Sequence, residues 1–356
     1  MKKRKGFLKR FKISNKTISE NTPPYIVAEM SANHNGKIKN AIKIIKSAKH
    51  AGADAIKIQT YNPDSLTIPS KRKEFVIKKG LWKNFTLYDL YKKASTPLEW
   101  QKDLFTEAKK IGITIFSTPF DIKGFEILEK LNCPAYKIAS FELVDLDLIQ
   151  NIAKTKKPLI LSTGMASKEE INDAVNIIYK NGSKKLILLH CVSGYPTPVN
   201  EINLSCIDEL KKQYNVLVGL SDHSTNNTVP LIASSLGACL IEKHFTLSRS
   251  LYKSPDSSFS LEPRELKELC LQTKNIKKII GRPSYKLNKS EREMIKIRRS
   301  LYIIKNIKKN QRLTKDHIKS IRPAAGLKPK YLKDVLGKRV KKNYISGTPL
   351  KWSMLV

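Results

Sequence analysis

Two histidines occupy matching positions in two neighbouring motifs, GLSDHS at Gly219–Ser224 and IEKHF at Ile241–Phe245. Each motif ends a short apolar run that is typical of a buried strand. His223 and His244 therefore follow the carboxyl ends of two consecutive predicted strands, and a helical segment separates them. A lone histidine is more often a hydrogen-bonded core residue, but two imidazoles at one edge of a sheet suit a divalent metal ion. Mn²⁺, Fe²⁺, Co²⁺ or Zn²⁺ fits such ligands, and Mg²⁺ is a further option.

Acidic residues flank the two histidines. Asp222 precedes His223, and Glu242 lies two residues before His244. We expect these carboxylates either to orient the imidazoles as hydrogen-bond partners or to form local salt bridges. No cysteine is close in sequence, so an open metal site that polarises a carbonyl is favoured over a closed structural zinc site.

Two lysines are predicted to point into the same interior. Lys57 and Gln59 are two residues apart in one predicted strand and share a face, and Lys137 lies in another strand. Buried lysine is costly unless an anion pairs with it, so the pair predicts a phosphate or carboxylate site. A surface lysine is the alternative for Lys57 alone. Hydroxyl groups near the strand ends extend the site, although each alone is equally typical of strand-end capping: Thr118, Ser140, Ser162 and Ser221.

Eight strand candidates alternate with helical patterns and must position these side chains. They are Tyr25–Glu29, Ala55–Gln59, Ile113–Ser117, Ala135–Ala139, Leu159–Thr163, Leu186–His190, Val216–Leu220 and Cys239–Lys243. Eight strand–helix units predict an α/β fold of the closed (β/α)8 TIM-barrel type, whose chemistry lies at the carboxyl ends of the strands. A doubly wound open sheet is the alternative. No GxGxxG follows the first strand, which disfavours a dinucleotide-binding version.

The composition of the chain predicts four segments. Residues 1–22 form a basic tail that we expect to be disordered, residues 23–280 the barrel, residues 281–297 a linker, and residues 298–356 a small second domain. The connection from Thr60 to about Pro97 is long enough to suggest a functional loop, with a helix predicted at Gly80–Ala94.

The 356 residues carry a formal net charge of +36, and 40% of them are hydrophobic. Such charge suits nucleic acid or an anionic membrane, but the lysines are spread along the chain, which favours a basic soluble enzyme without a nucleic-acid partner. Its surface would steer anionic substrates inward. Five cysteines without a CxxC pair indicate reduced thiols and a cytoplasmic location. No apolar run predicts a membrane span or stable membrane anchor, and the amino terminus has no secretory h-region.

The motifs together resemble those of the bacterial sialic acid synthase family. They are NHNG from Asn33, KIQTY from Lys57, YKIAS from Tyr136, STGM from Ser162, YPTP from Tyr195, GLSDHS and EKHF. SIRPAAGL, from Ser320, resembles the family's antifreeze-like (SAF) domain. SANH at Ser31–His34 is similar to the pseudaminic acid branch of the family. His190 is a departure from that branch, where lysine is usual.

The resemblance implies a role for each matching residue. Phosphoenolpyruvate would contact Lys57, Thr118, Lys137, Ser140, Ser162 and Ser221. His223 and His244 would hold the metal, most commonly Mn²⁺ with Mg²⁺ or Co²⁺ as options. An acetamido sugar would contact Glu29, Gln59, Tyr195, Asp256 and Arg322. Glu29, Lys57, His223 and His244 would be catalytic, and Arg322 would reach the active site of the other subunit in a domain-swapped homodimer.

The implied reaction joins phosphoenolpyruvate to the open-chain aldehyde of 2,4-diacetamido-2,4,6-trideoxy-L-altrose. The metal would polarise the aldehyde, a carbon–carbon bond would form, and phosphate would leave by C–O cleavage to give pseudaminic acid. Synthesis of legionaminic or N-acetylneuraminic acid is the alternative within the family, because sequence resolves such similar sugars poorly. An alternative of another class is a non-catalytic module that binds anionic glycans or nucleic acid.

Overall fold

The computed structural model describes residues 6–251 and 253–356, and it divides the chain into two compact units. The first unit runs to Gly281, and the second covers Arg282–Val356. The predicted barrel and linker segments meet within one residue of this division.

The first unit is a closed barrel of eight parallel strands, which confirms the predicted fold class. The strands are β3 (Tyr25–Glu29), β4 (Ala55–Thr60), β5 (Thr114–Pro119), β6 (Tyr136–Ile138), β7 (Leu159–Ser162), β8 (Leu186–Cys191), β9 (Leu217–Asp222) and β10 (Leu240–His244). Pairing of β10 with β3 closes the barrel and places His244 beside Glu29. All eight strand candidates are therefore barrel strands, and their carboxyl ends share one rim.

Helices follow the strands and cover the barrel. They are α1 (Ile38–Ala51), α2 (Pro63–Leu66), α3 (Leu87–Ala94), α4 (Gln101–Ile111), α5 (Ile122–Lys130), α6 (Leu146–Lys154), α7 (Lys168–Lys180), α8 (Cys206–Tyr214), α9 (Thr228–Ser235) and α10 (Pro263–Ile280). In α1 the buried residues recur at helical spacing, as Ala41, Ile44, Ile45 and Ala48. The helix ends at Gly52, whose φ of 93° requires the left-handed conformation that glycine adopts readily. Within the described ranges, no helix is long and apolar enough to cross a membrane.

A β-hairpin precedes the barrel, formed by β1 (Arg10–Ile13) and β2 (Lys16–Ser19). The expectation of a disordered tail is therefore wrong for this stretch, and residues 1–5 lie outside the described residues. Phe11, Ile13 and Ile18 are buried in the same apolar core as the barrel. In the sequence, basic residues lie between these apolar side chains. Their burial stabilises the packing of the hairpin on the barrel.

The helix predicted at Gly80–Ala94 is shorter than expected, because it begins only at Leu87. Thr86 caps it, accepting a hydrogen bond from the backbone N–H of Asp89 at 3.0 Å. The preceding residues form a turn closed by two backbone hydrogen bonds between Ile77 and Asn84 or Phe85, each 2.9 Å long. This turn and α3 both lie beside the barrel rim.

The second unit has its own small core. Strands β11 (Ser300–Ile303) and β12 (Ile318–Ile321) pair in antiparallel fashion, and a short helix, α11, covers Leu332–Val335. Its buried apolar side chains are Leu301, Ile303, Ile307, Leu313, Ile318, Val335, Val340, Leu350, Met354 and Leu355. Arg322 follows β12 directly and is exposed.

Candidate active site

A cavity of about 470 Å³ opens at the carboxyl ends of the barrel strands. Its volume lies in the range of small-molecule sites. The predicted residues that line it are Glu29, Lys57, Gln59, Lys137, Ser140, Ser162, Tyr195, Ser221, His223, His244 and Asp256. Of the remaining two predicted site residues, Thr118 is fully buried next to Lys57, and Arg322 belongs to the second unit.

Lys57 lies at the centre of a buried charge network. Its Nζ is 2.7 Å from Glu29 Oε2 and 3.6 Å from Glu242 Oε1, and it donates a 3.2 Å hydrogen bond to Thr118 Oγ1. Burial alone would lower the pKa of Lys57, but the attraction of Glu242 and Glu29 outweighs it and raises the pKa. Lys57 is therefore a charged ammonium group inside the barrel, as its strand position predicted.

Glu242 bridges the two buried lysines. Its Oε1 is 3.5 Å from Lys137 Nζ and accepts a 3.4 Å hydrogen bond from Ser221, while its Oε2 is buried without a hydrogen bond. Burial would raise its pKa, but Lys137 and Lys57 lower it further than burial raises it. Burial lowers the pKa of Lys137, since Glu242 compensates it only in part. An anion bound beside Lys137 would stabilise its charged form.

The expectation that Asp222 and Glu242 orient the histidines as hydrogen-bond partners is not met. Strand β9 ends at Asp222, directly before His223, and β10 ends at His244 itself, so side chains still alternate there. Glu242 therefore points into the barrel, whereas Asp222 and Lys243 point outward. Lys243 is fully buried and lies 2.8 Å from Asp222 Oδ2, in the salt bridge that was the alternative expectation. This ion pair connects the ends of the two strands that bear the histidines.

His223 and His244 lie together in the cavity, with ring centroids 5.4 Å apart. The Nδ1–H of His223 donates to the carbonyl oxygen of Val192 at 2.9 Å. Burial would lower the pKa of His223, but a hydrogen bond to the side chain of Cys191 outweighs it and raises the pKa. Burial, together with nearby positive groups including His223 and Lys57, lowers the pKa of His244 well below its ordinary value. His244 is thus a neutral imidazole, which is the form that binds metals.

The histidine pair fits a metal ion, because Nδ1 of the buried His244 forms no hydrogen bond. An unsatisfied buried nitrogen of this kind is a ready ligand atom. Asp256 Oδ2 is 3.7 Å from the same Nδ1. Across residues 6–251 and 253–356, no cluster of three or more histidine, cysteine, aspartate and glutamate residues has metal-binding geometry. The protein would therefore supply two imidazoles and leave coordination positions for water or substrate.

Hydroxyl groups line the side of the cavity near Lys137. Ser140 Oγ accepts a 3.1 Å hydrogen bond from the backbone N–H of Gly164. A Cβ at Gly164 would lie 2.7 Å from that oxygen and 2.5 Å from Ser193 Oγ, so only glycine permits this close approach. Ser162 Oγ is buried without a hydrogen-bond partner. These groups can donate to an anion.

The opposite side combines carboxylates, an amide and an aromatic ring. Gln59 Nε2 donates to Glu29 Oε1 at 3.1 Å and to Ser31 Oγ at 3.0 Å. Burial raises the pKa of Asp256, although hydrogen bonds from Ser31 and the backbone of Ala32 oppose the rise. The ring of Tyr195 is 4.4 Å from that of His223. These groups can bind a polyhydroxylated or amide-bearing substrate.

Two features of the cavity were not predicted. The first is Glu142, whose Oε2 is buried without a hydrogen-bond partner and whose pKa burial raises to about 7. The second is an apolar wall from the connection between β4 and α4, formed by Leu66, Ile77, Trp82, Leu87, Leu90 and Tyr91. In the sequence, only the aromatic and aliphatic residues of that connection point to such a wall. They do not show which residues of the barrel rim the wall faces.

Family models match both units of the chain. The NeuB family matches residues 44–285, and the SAF domain matches residues 298–356. The chain belongs to the NeuB family. The second match confirms the predicted SAF domain.

Individual relatives of this NeuB-family chain agree with that assignment. It is 44% identical to pseudaminic acid synthase of Helicobacter pylori, over 92% of this chain and 96% of that protein. It is 39% identical to N,N'-diacetyllegionaminic acid synthase of Campylobacter jejuni, over 90% of this chain and 96% of that protein. The crystal structure of N-acetylneuraminic acid synthetase from Leptospira borgpetersenii, in complex with citrate, is 36% identical with a TM-score of 0.71. That match covers 80% of this chain and 95% of that one.

His190, the departure from the pseudaminic acid branch of the NeuB family, lies away from the chemistry. Its neighbour Cys191 lines the cavity, and strand alternation directs His190 to the other face. The Nε2 of His190 is 2.6 Å from the carbonyl oxygen of Ile202. The substitution is therefore accommodated by a structural hydrogen bond outside the cavity.

Proposed function

We propose that this enzyme condenses phosphoenolpyruvate with 2,4-diacetamido-2,4,6-trideoxy-L-altrose to give pseudaminic acid and phosphate. The observation that carries the proposal is one cavity in which a buried lysine pair faces a histidine pair. The supporting comparison is the 44% identity, over 92% of the chain, to a protein named pseudaminic acid synthase. A non-catalytic binding module has no need for four buried ionisable groups at the same barrel rim.

Phosphoenolpyruvate would bind between the lysines and the hydroxyl groups. Lys137 Nζ and Ser162 Oγ would donate to the phosphate, with Ser140 and Ser221 completing its ligands. Lys57, held by Thr118, would pair with the carboxylate. The anion would satisfy Ser162 and stabilise the ammonium form of Lys137, whose pKa is lowered without it. Preorganised charges of this kind stabilise charge that develops during reaction.

The sugar would occupy the side that Glu29, Gln59, Tyr195 and Asp256 form. A divalent metal on His223 and His244 would supply Lewis-acid polarisation of the aldehyde. We propose Mn²⁺, with Mg²⁺ or Co²⁺ as alternatives. C3 of phosphoenolpyruvate forms the new bond to the aldehyde carbon, and positive charge develops at C2. Water adds at C2, and the tetrahedral intermediate expels phosphate by C–O cleavage. Glu29, 2.7 Å from Lys57, is placed to orient the sugar and accept a proton.

Phosphate release across a panel of sugars tests this function. We expect rapid release from phosphoenolpyruvate with Mn²⁺ and the diacetamido trideoxy-altrose, and at least about tenfold lower kcat/KM with the legionaminic acid precursor or N-acetylmannosamine. The product is identified by mass spectrometry. Preference for either other sugar would replace the proposed substrate. Absence of release with every sugar, together with salt-dependent binding to DNA or anionic glycans, would favour the binding module.

The legionaminic acid alternative rests on the 39% identity to a synthase of that name. The higher identity to pseudaminic acid synthase and the SANH motif favour the altrose-derived sugar. Because closely related sugars differ by single groups, the panel decides between them.

We further propose a domain-swapped homodimer in which Arg322 of one subunit reaches the sugar in the barrel of the other. Exposed apolar side chains on loops at the strand ends support a covering partner, because large apolar groups at a rim favour burial. These are Phe141 at 58% exposure, Val144 at 59%, Met165 at 63% and Val199 at 71%.

Complementation between inactive variants tests the swap. Lys57→Met removes the barrel lysine and Arg322→Ala removes the sugar contact, so each homodimer is expected to be impaired. Co-expressed and purified through two tags, the mixed dimer would contain one barrel with Lys57 that receives Arg322 from the other chain. We expect about half of wild-type activity per dimer in that mixture. An unswapped arrangement predicts no recovery, since neither chain then has both residues at its own site.

We also propose that the enzyme is located in the cytoplasm. All five cysteines are free thiols. Free thiols are typical of reducing compartments.

A further inference from the structure

The cavity is chemically divided, and the division identifies residues that select the sugar. Every aspartate, glutamate, lysine and histidine that lines it comes from a barrel strand or from the loop that follows one. The connection between β4 and α4 contributes only aliphatic and aromatic side chains to it, within the residues that the structure describes. One face is therefore built for charges and the other for apolar groups.

We infer that the apolar wall selects a methyl-rich sugar. Resting on the proposed function, this inference makes Ile77 and Leu87, together with their neighbours in the wall, specificity-determining residues that bind the C6 methyl and an acetamido methyl.

The wall is preformed. Trp82 Nε1 donates to the carbonyl oxygen of Pro255 at 3.0 Å, and its ring is 5.4 Å from that of Tyr195. Tyr61 Oη donates to the carbonyl oxygen of Tyr91 at 3.3 Å, and their rings meet edge to face. Because these contacts connect the wall to the rest of the cavity, the wall has a fixed shape before a ligand binds. A fixed shape reduces the entropic cost of ordering the wall when the sugar binds.

The wall is also available to a ligand. Leu66, Ile77 and Leu87 are only partly buried, although they line the cavity. Apolar side chains that remain partly exposed in a concave site are typical of ligand contacts and not of core packing. A methyl group placed there leaves water and gains contacts.

A hydroxyl group placed against the same wall would lose its hydrogen bonds to water without replacement. The diacetamido trideoxy sugar has three methyl groups, at C6 and in its two acetamido groups. N-acetylmannosamine has one acetamido methyl and a hydroxyl at C6. The wall therefore favours the former by chemistry that the charged face cannot supply.

Two substitutions in the wall test the inference: Ile77→Thr and Leu87→Gln. The measurement is kcat/KM for the diacetamido trideoxy-altrose, its 6-hydroxy analogue and N-acetylmannosamine, followed by phosphate release. We expect the preference for the trideoxy sugar over its 6-hydroxy analogue to fall about tenfold in each variant, chiefly through the KM of the sugar. The KM of phosphoenolpyruvate should not change.

Ile68→Thr is the matched control, because Ile68 lies in the same connection, is 60% exposed and does not line the cavity. It should retain the wild-type preference. An unchanged preference in both wall variants, or an equal loss for all sugars, would overturn the inference.

Calorimetric titration of the wild-type protein and both variants with each sugar separates this inference from the proposed function. If the wild-type protein releases no phosphate with any sugar, the proposed function fails. Tighter wild-type binding of the trideoxy sugar, weakened in both variants, would still support the wall. Equal binding of the three sugars would overturn it even if turnover occurs.

Discussion

Replacing Lys57 with methionine is expected to lower kcat/KM for phosphate release by at least about 10²–10³-fold, the cost typical of losing a preorganised electrostatic group. The ammonium group is almost fully buried and touches both Glu29 and Glu242. Methionine preserves the volume but leaves two carboxylates facing each other without compensation. The carboxylate of phosphoenolpyruvate would then meet negative charge where it now meets positive charge.

Stability measurements separate this catalytic effect from misfolding. Breaking a buried ion pair from one side typically costs about 3–5 kcal/mol. The double variant Lys57→Met/Glu29→Gln removes one of the stranded charges, so it should regain part of the free energy of unfolding but none of the activity. Lys43→Met is the surface control, because Lys43 is exposed on α1. Turnover close to wild type in Lys57→Met would refute the role of this lysine.

The two-residue periodicity of strands predicted which side chains point into the cavity. Lys57 and Gln59 share a face because side chains alternate along a strand, and both line the cavity. The same rule places Ser221 and His223 on one face of β9, and Glu242 and His244 on one face of β10. Alternation past the predicted strand end also directs Asp222 outward, which decides between its two expected roles in favour of the salt bridge with Lys243. The strands continue farther than their apolar residues do.

Features that depend on tertiary contacts were not available from the sequence. Burial of Phe11 and Ile18 against the barrel organises a segment whose composition is otherwise that of a basic tail. Glu142 lies in a one-turn 3-10 helix after β6, where nothing in the local pattern indicates that its carboxylate is buried. Long connections such as that between β4 and α4 lack a period, so their contacts with the rim emerge only in the folded chain.

Replacing His244 with alanine is expected to weaken Mn²⁺ binding by at least about 100-fold and to abolish phosphate release. Loss of even an outer partner of a metal ligand costs about 10–100-fold in affinity, so loss of one of two imidazoles costs more. Direct titration of the protein with Mn²⁺ measures binding independently of turnover. Circular dichroism checks that the barrel remains folded.

His50→Ala is the matched control for this substitution, since His50 is exposed near the end of α1 and far along the chain from both motifs. It should bind Mn²⁺ as the wild type does. His223→Ala should reproduce the His244→Ala result, because the two rings lie 5.4 Å apart and one ion would require both. If His244→Ala instead turns over at a near-normal rate in the presence of a chelator, the metal has no part in the reaction. The buried histidines would then serve as neutral packing and hydrogen-bonding groups beside Tyr195.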